Sequence, residues 1–202
     1  MKKSKSYQAE LEQIIIDNQT NDTVPTLLLH SCCAPCSSYV LEYLSKHFRI
    51  TVFYYNPNIY PDEEYAKRAK EQQNLINEMD FTNPVDFIEG EFDKNKFHEA
   101  VKGYGQCAEG QERCAICYRI RLAKTADMAR DLGVDYFATT LSISPMKDAI
   151  KLNEIGEEIS KEVGILWLPS DFKKKNGYKR SIELSNRHGL YRQNYCGCVY
   201  ST

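Results

Sequence analysis

The chain has 202 residues, 42% hydrophobic and 27% charged, with a net charge of −2. That length buries a core without disulfide help, and the balance is ordinary for a globular protein in water. It excludes a global electrostatic pull toward nucleic acid, so a polyanion partner needs a local basic patch.

Residues 5–17 read as a short amphipathic helix. Met1, Lys2 and Lys3 are not followed by the apolar stretch of a signal peptide, and no run reaches the ~20 apolar residues of a membrane span. The expectation is a cytoplasmic protein without a membrane partner, in a compartment where thiols stay reduced. Eight cysteines there point to metal or redox chemistry before structural disulfides. Residues 1–22 are expected as a helical extension, and residues 23–202 as one α/β catalytic domain with a basic C-terminal tail.

Along the chain, 26–30 is an apolar run that ends in a cysteine-rich segment, and 38–47 follows with a helical pattern. Residues 49–55 carry the β-branched and aromatic side chains of a buried strand, broken at Asn56-Pro57-Asn58. Glu, Lys, Gln and Ala make 62–79 helical. A strand is predicted at 85–89, a helix around 93–102, a glycine-containing loop at 103–110 and a long amphipathic helix at 113–131. Residues 135–143 read as a strand, Ser144-Pro145 as a turn, 147–163 as a helix and 165–168 as a last short strand. The remainder reads as a basic, aromatic tail ending in Tyr-Cys-Gly-Cys.

Strands that alternate with helices imply a mostly parallel sheet of about five strands, covered on both faces. Sites in such sheets lie at the carboxyl ends of strands. Those ends are 31–36, 56–58 and 139–148, and the first is dense in cysteine.

Cys32 and Cys33 are adjacent, and Cys114 and Cys117 are one helical turn apart at a helix start, which favours the thiolate form. Together they supply four ligands for a tetrahedral zinc or a four-iron cluster. Neighbouring cysteine side chains diverge and are not a zinc-knuckle spacing, which favours the cluster and hence an iron–sulfur oxidoreductase. Cys196 and Cys198 suit metal ligation, a strained labile disulfide, or two thiols in a frayed tail. Cys36 and Cys107 suit a second metal or structural roles. Lys147 and Asp148 at a strand end suit a proton donor with its orienting partner, or a solvated helix start. Asn56 and Asn58 suit nucleoside contacts or, more simply, a turn.

Basic residues cluster in three runs: Arg119, Arg121 and Lys124; Lys173, Lys174, Lys175, Lys179 and Arg180; and Arg187, His188 and Arg192. Tyr178, Tyr191 and Tyr195 are interleaved and suited to stacking on splayed bases. Charge runs are commonly solvated faces, but three runs flanking one cysteine-rich site favour RNA binding.

The segments LLLHSCCAPCSS (27–38), YYNPNIYPDEEYAKR (54–68), CAICYRIRL (114–122), TTLSISPMKD (139–148) and YCGC (195–198) together resemble the cobalamin-independent epoxyqueuosine reductases of the QueH type. The resemblance implies a Rossmann-like sheet similar to that of adenine-nucleotide α-hydrolases. It implies reductive deoxygenation of epoxyqueuosine to queuosine in a tRNA anticodon loop, the last step of queuosine biosynthesis. It implies a [4Fe–4S] cluster on Cys32, Cys33, Cys114 and Cys117, and a redox-active pair at Cys196 and Cys198. Electrons come from an unidentified donor, and a second iron ion is a candidate guest of Cys36 and Cys107. The Ser-Pro-X-Lys-Asp stretch of many relatives has His where this chain has Met146, so a proton-transfer role at that position falls to another group. An ATP-dependent tRNA-modifying enzyme of the same fold needs a glycine-rich phosphate loop after the first strand, and this chain has cysteines there. A non-catalytic zinc-binding module with a basic tail is the remaining alternative.

Overall fold

The computed structural model describes residues 6–201. A five-stranded, all-parallel sheet runs in the order β3-β2-β1-β4-β5. The strands are β1 (Thr26–Ser31), β2 (Arg49–Tyr54), β3 (Val85–Glu89), β4 (Tyr136–Thr139) and β5 (Leu166–Trp167). The helices are α1 (Tyr7–Thr20), α2 (Ala34–Leu44), α3 (Asp62–Glu78), α4 (Lys94–Ala100), α5 (Glu112–Leu132), α6 (Ala149–Val163) and α7 (Gly177–Arg187). None of the described helices is long and apolar enough to cross a membrane.

Side-chain alternation along β1 decides what each face of the sheet receives. Leu27 and Leu29 pack with Leu11 and Ile15 of α1 and with Val40, Leu41 and Leu44 of α2. Leu28 packs on the other face with Leu122 and Ala126 of α5 and Leu152 and Ile155 of α6. All three leucines are fully buried, each contributing about 1.5–3 kcal/mol of hydrophobic stabilisation. The alternation continues past the apolar run. Ser31 hydrogen-bonds Ser37 and Gln72 at 2.6 Å each, and His30 meets Arg121 of α5.

From β1 the chain winds outward through β2 and β3, then returns to place β4 on the other side of β1. The crevice between the carboxyl ends of β1 and β4 is therefore the switch point of the sheet, the usual place for a ligand. Cys32 Sγ and Thr140 Oγ1 face each other across it at 3.8 Å.

Three expected boundaries are corrected. The strand predicted over 135–143 ends at Thr139, and Thr140–Ile143 is a 3-10 turn, started where the Thr139 side chain accepts from the Leu141 amide. The helix predicted from Ser38 begins at Ala34, with Pro35 in its first turn. The basic tail is not a tail: Gly177–Arg187 is α7, packed on α2. Gly177 permits that contact, because a Cβ there would stand 2.0 Å from the Phe172 carbonyl oxygen and 2.5 Å from the Tyr39 ring.

The segment after α7 crosses back over the strand ends. The Tyr60 amide donates to Gly197 O at 2.8 Å, Ile59 and Cys198 form an antiparallel bridge, and Arg68 Nη1 donates to Cys196 O at 3.4 Å. Residues 195–198 form a strap over the crevice.

Candidate metal and redox centre

Two cysteine groups meet at one wall. The first is Cys32, Cys33 and Cys36, whose sulfurs all lie within 4.8 Å of one another, with Cys32 and Cys33 at 3.7 Å. The end of β1 and the first turn of α2 place these thiols together, and a helix start favours negative charge. Hydrogen bonds from Cys33 and Cys36 hold the Cys32 thiol well below its usual range, helped by the charge of Arg121. The charge on Cys32 pushes Cys33 and Cys36 up. The group therefore holds one thiolate readily and is able to bind a metal.

The second group is Cys114 and Cys117 at the start of α5, with Cys196 and Cys198 on the strap. Burial pushes Cys117 up to about 11, against the opposing pull of Arg121. Within the strap, the hydrogen bond from Cys198 draws the Cys196 thiol down against burial, with Lys147 and Arg121 assisting, and Cys198 rises in return.

The first group opens on a cavity of about 440 Å³, in the range of small-molecule sites. Cys114, Cys117, Cys196 and Cys198 line a narrow adjoining space. Arg121, Lys147 and Cys196 line both. Burial opposes the charge on Lys147, but Cys196, Tyr118 and Glu109 outweigh it and hold the ammonium above its ordinary value. Its Nζ lies 2.9 Å from Glu109 Oε1. Arg121 is 3% exposed and donates to Asn56 Oδ1 at 2.5 Å. Asn56 in turn donates to Ser31 O at 2.9 Å. His30 is fully buried and kept neutral, lowered to about 3 by burial and by Arg121.

Residues 27–202 match the family described as epoxyqueuosine reductase QueH. The chain belongs to this family. The QueH of Streptococcus pyogenes serotype M1 is 42% identical over 198 residues, covering 97% of this chain and 78% of that one. The QueH of Staphylococcus epidermidis is also 42% identical, over 202 residues, 97% of this chain and 84% of that one. The QueH of Thermotoga maritima is 37% identical over 180 residues, 87% of this chain and 90% of that one.

Set against this geometry, the sequence expectations divide. Cys36 joins Cys32 and Cys33, and Cys114 and Cys117 share their space with Cys196 and Cys198. Cys107 lines neither cavity and lies 3.8 Å from the Glu112 carboxylate. Lys147 faces the site, but Asp148 is exposed and caps α6, accepting from the Ile150 and Lys151 amides at 2.9 and 3.1 Å. Asn56 closes a turn, its carbonyl accepting from the Ile59 amide at 3.2 Å, and its side chain also braces Arg121.

The basic residues also separate. Arg121 is interior, so the surface position expected from its place in a basic run is corrected. Arg119 is exposed and pairs with Glu158 and Glu162, Lys175 pairs with Glu12, and Arg180 pairs with Glu42 and Glu183. Lys173 pairs with Asp171 at 2.6 Å, and Lys174 is exposed. Arg192 lies 5.2 Å above the Tyr178 ring, and both line the main cavity.

Sequence reasoning missed Arg68, Glu109 and His30. Arg68 had a signal: it is three residues after Tyr65 and four before Gln72, on the apolar face of α3. Glu109 had none, since a loop acid looks like any other.

Proposed function

We propose that this chain is an epoxyqueuosine reductase that works in the cytoplasm on tRNA. It removes the epoxide oxygen of the modified base and leaves an alkene and water. The observation that carries the reading is the shared wall: Arg121, Lys147 and Cys196 stand between two groups of thiols, beside a cavity large enough for a small ring system.

The residues suit an iron–sulfur guest. The donors are soft thiolates, one is already drawn toward its charged form, and buried cations face them. Cys32 and Cys114 pack against the same hydrophobic cluster, which supports Cys32, Cys33, Cys114 and Cys117 as ligands of a [4Fe–4S] cluster. Cys36, beside them, is the candidate for a second iron. When bound by these cysteines, such a cluster would supply electrons one at a time, and a second iron held at Cys36 would supply Lewis acidity.

The chain's own groups do the rest. Tyr178 and Arg192 line the cavity mouth, where a flipped base stacks. Lys147 Nζ holds a proton beside Cys196 Sγ, passes it to the departing oxygen and takes one of the two thiol protons in return. Cys196 and Cys198 give up two electrons and two protons as a sulfur–sulfur bond forms between them. These convert the epoxide to alkene plus water, and an external donor returns the pair to two thiols. The strap bearing the pair limits water at the site.

The test is anaerobic incubation of the iron-loaded protein with tRNA that carries epoxyqueuosine, a reductant and nucleoside mass spectrometry. Conversion to queuosine is expected. A protein that holds four irons and four sulfides and yields no queuosine contradicts the reading.

A further inference from the structure

The buried cations of this site are not equivalent. Lys147 is met by the carboxylate of Glu109 at 2.9 Å, and Arg68 by that of Glu64 at 2.6 Å. Arg113 points its guanidinium at the carbonyls of Tyr104, Gly105 and Cys107. Arg121 differs. Its polar contacts are the carboxamide of Asn56 at 2.5 Å, His30 Nε2 at 3.3 Å and Cys117 Sγ at 3.9 Å. None of these is a carboxylate. His30 is neutral, and Asn56 carries no charge.

A guanidinium that stays charged in an interior needs an anion nearby. Arg121 Nη1 stands 3.9 Å from Cys117 Sγ, and its side chain lines both cavities, with Cys32 and Cys196 in the larger and Cys114, Cys117 and Cys196 in the smaller. These sulfurs belong to both cysteine groups. Arg121 is also placed to serve them by helix geometry, four residues after Cys117 and seven after Cys114 on one face of α5. Asn56, tied to Ser31 O, fixes the direction of the fork.

We propose that Arg121 is a positioning residue that supplies the fixed positive charge for the thiolate-bound iron–sulfur centre and raises its reduction potential. The inference rests on the reading that these thiols hold such a centre. Reduction adds negative charge to a cluster whose ligands are already anionic. A fixed cation in a weakly polarisable interior stabilises the reduced state more than the oxidised one. Lysine keeps the charge at this position and glutamine removes it.

The experiment compares anaerobically reconstituted wild type, Arg121→Lys and Arg121→Gln. Iron and sulfide per chain are measured first, then a redox titration followed by electron paramagnetic resonance. Arg121→Lys should reduce within threefold of wild type. Arg121→Gln should be at least tenfold harder to reduce, 59 mV for a one-electron couple. Glutamine protein that holds full iron and sulfide and titrates with wild type overturns the proposal. If Arg121→Gln folds by circular dichroism but loads no cluster while Arg121→Lys does, the need for charge is supported. If both variants fail to load, the arginine acts through its shape and the proposal is overturned. Wild type that binds zinc without sulfide sinks the cluster reading instead.

Discussion

The guanidinium of Arg68 occupies the space that a side chain on Gly197 would need. A Cβ at position 197 would lie 2.8 Å from Arg68 Nη2, and Gly197 has φ +92°. Arg68 cannot easily retreat, because it is 2% exposed, paired with Glu64 and bonded to Cys196 O. The glycine between the two strap cysteines thus satisfies a backbone requirement and a packing requirement together.

Gly197→Ala should therefore lower turnover at least tenfold and cost about 1–3 kcal/mol of stability from the disfavoured backbone. Urea denaturation and single-turnover conversion of tRNA check both. An alanine protein with wild-type turnover would show that the strap tolerates displacement.

Cys196→Ser should abolish turnover while leaving the visible iron–sulfur absorption intact, because the proposed ligands Cys32, Cys33, Cys114 and Cys117 remain. Full activity in the serine variant removes the dithiol from the reaction. Loss of the absorption makes Cys196 a ligand instead.

Asn153 joins the end of the sheet to α6. Its Nδ2 donates to Ala149 O at 2.7 Å and Ser170 O at 2.8 Å, and its Oδ1 accepts from Trp167 Nε1 and the Ser170 amide at 3.0 Å each. Replacement by leucine strands buried groups on both sides. The expected loss is about 3 kcal/mol, at 1–3 kcal/mol for each unmatched buried group, with the cysteine site unaltered. Denaturation midpoints and iron content measure the two effects separately.

Arg192 and Lys175 should behave differently toward tRNA. Arg192 lines the cavity and stacks on Tyr178, whereas Lys175 is paired with Glu12 at 2.6 Å. Arg192→Ala should weaken tRNA binding about tenfold and flatten its salt dependence. Lys175→Ala should change binding less than twofold. Equal losses in filter binding would place the RNA over both.

Arg180 clamps α7 to α2 through two bonds to Glu42, at 2.6 and 2.9 Å. The hydrogen bonds from Arg180 hold the Glu42 carboxyl below its ordinary 4.5. A depressed carboxylate stabilises the fold above its unfolded value, and the contribution is lost as pH falls through the folded one. Glu42→Gln should thus melt below wild type at pH 7, and the gap should close as pH drops under 4.5. A gap that persists unchanged to pH 3 contradicts the assignment.

Much of the fold was readable because β1 and β2 are runs of Leu, Val, Ile and Phe with few other ways to be buried. Residues 173–187 were not, because their charged residues hide a helix whose buried side is made of Gly177, Ser181, Leu184 and Ser185. The helix is amphipathic, but its low overall hydropathy and its lysines and arginines make it read first as a solvated tail. Thr140–Ile143 kept a strand composition while local side-chain bonding turned it. At the site, the cysteines were visible from spacing alone. The inward turn of Arg121 was also encoded, at i+4 from Cys117, but a basic residue in a basic run reads first as surface. Glu109 and the strap contacts of Arg68 join residues far apart in sequence, and no local pattern carries them.

The strap also sets an order of events during synthesis. Cys117, the last of the thiols at this wall to be made before the strap, leaves the ribosome roughly eighty residues ahead of Cys196. At about 5–20 residues per second, that interval lasts roughly 4–16 s. Throughout it, a domain whose sheet is still being completed presents Cys32, Cys33, Cys36, Cys114 and Cys117 without the covering strap, which docks later onto Arg68 and Tyr60. The translation clock thereby leaves an interval in which incoming iron and sulfide meet these thiols before the strap is in place.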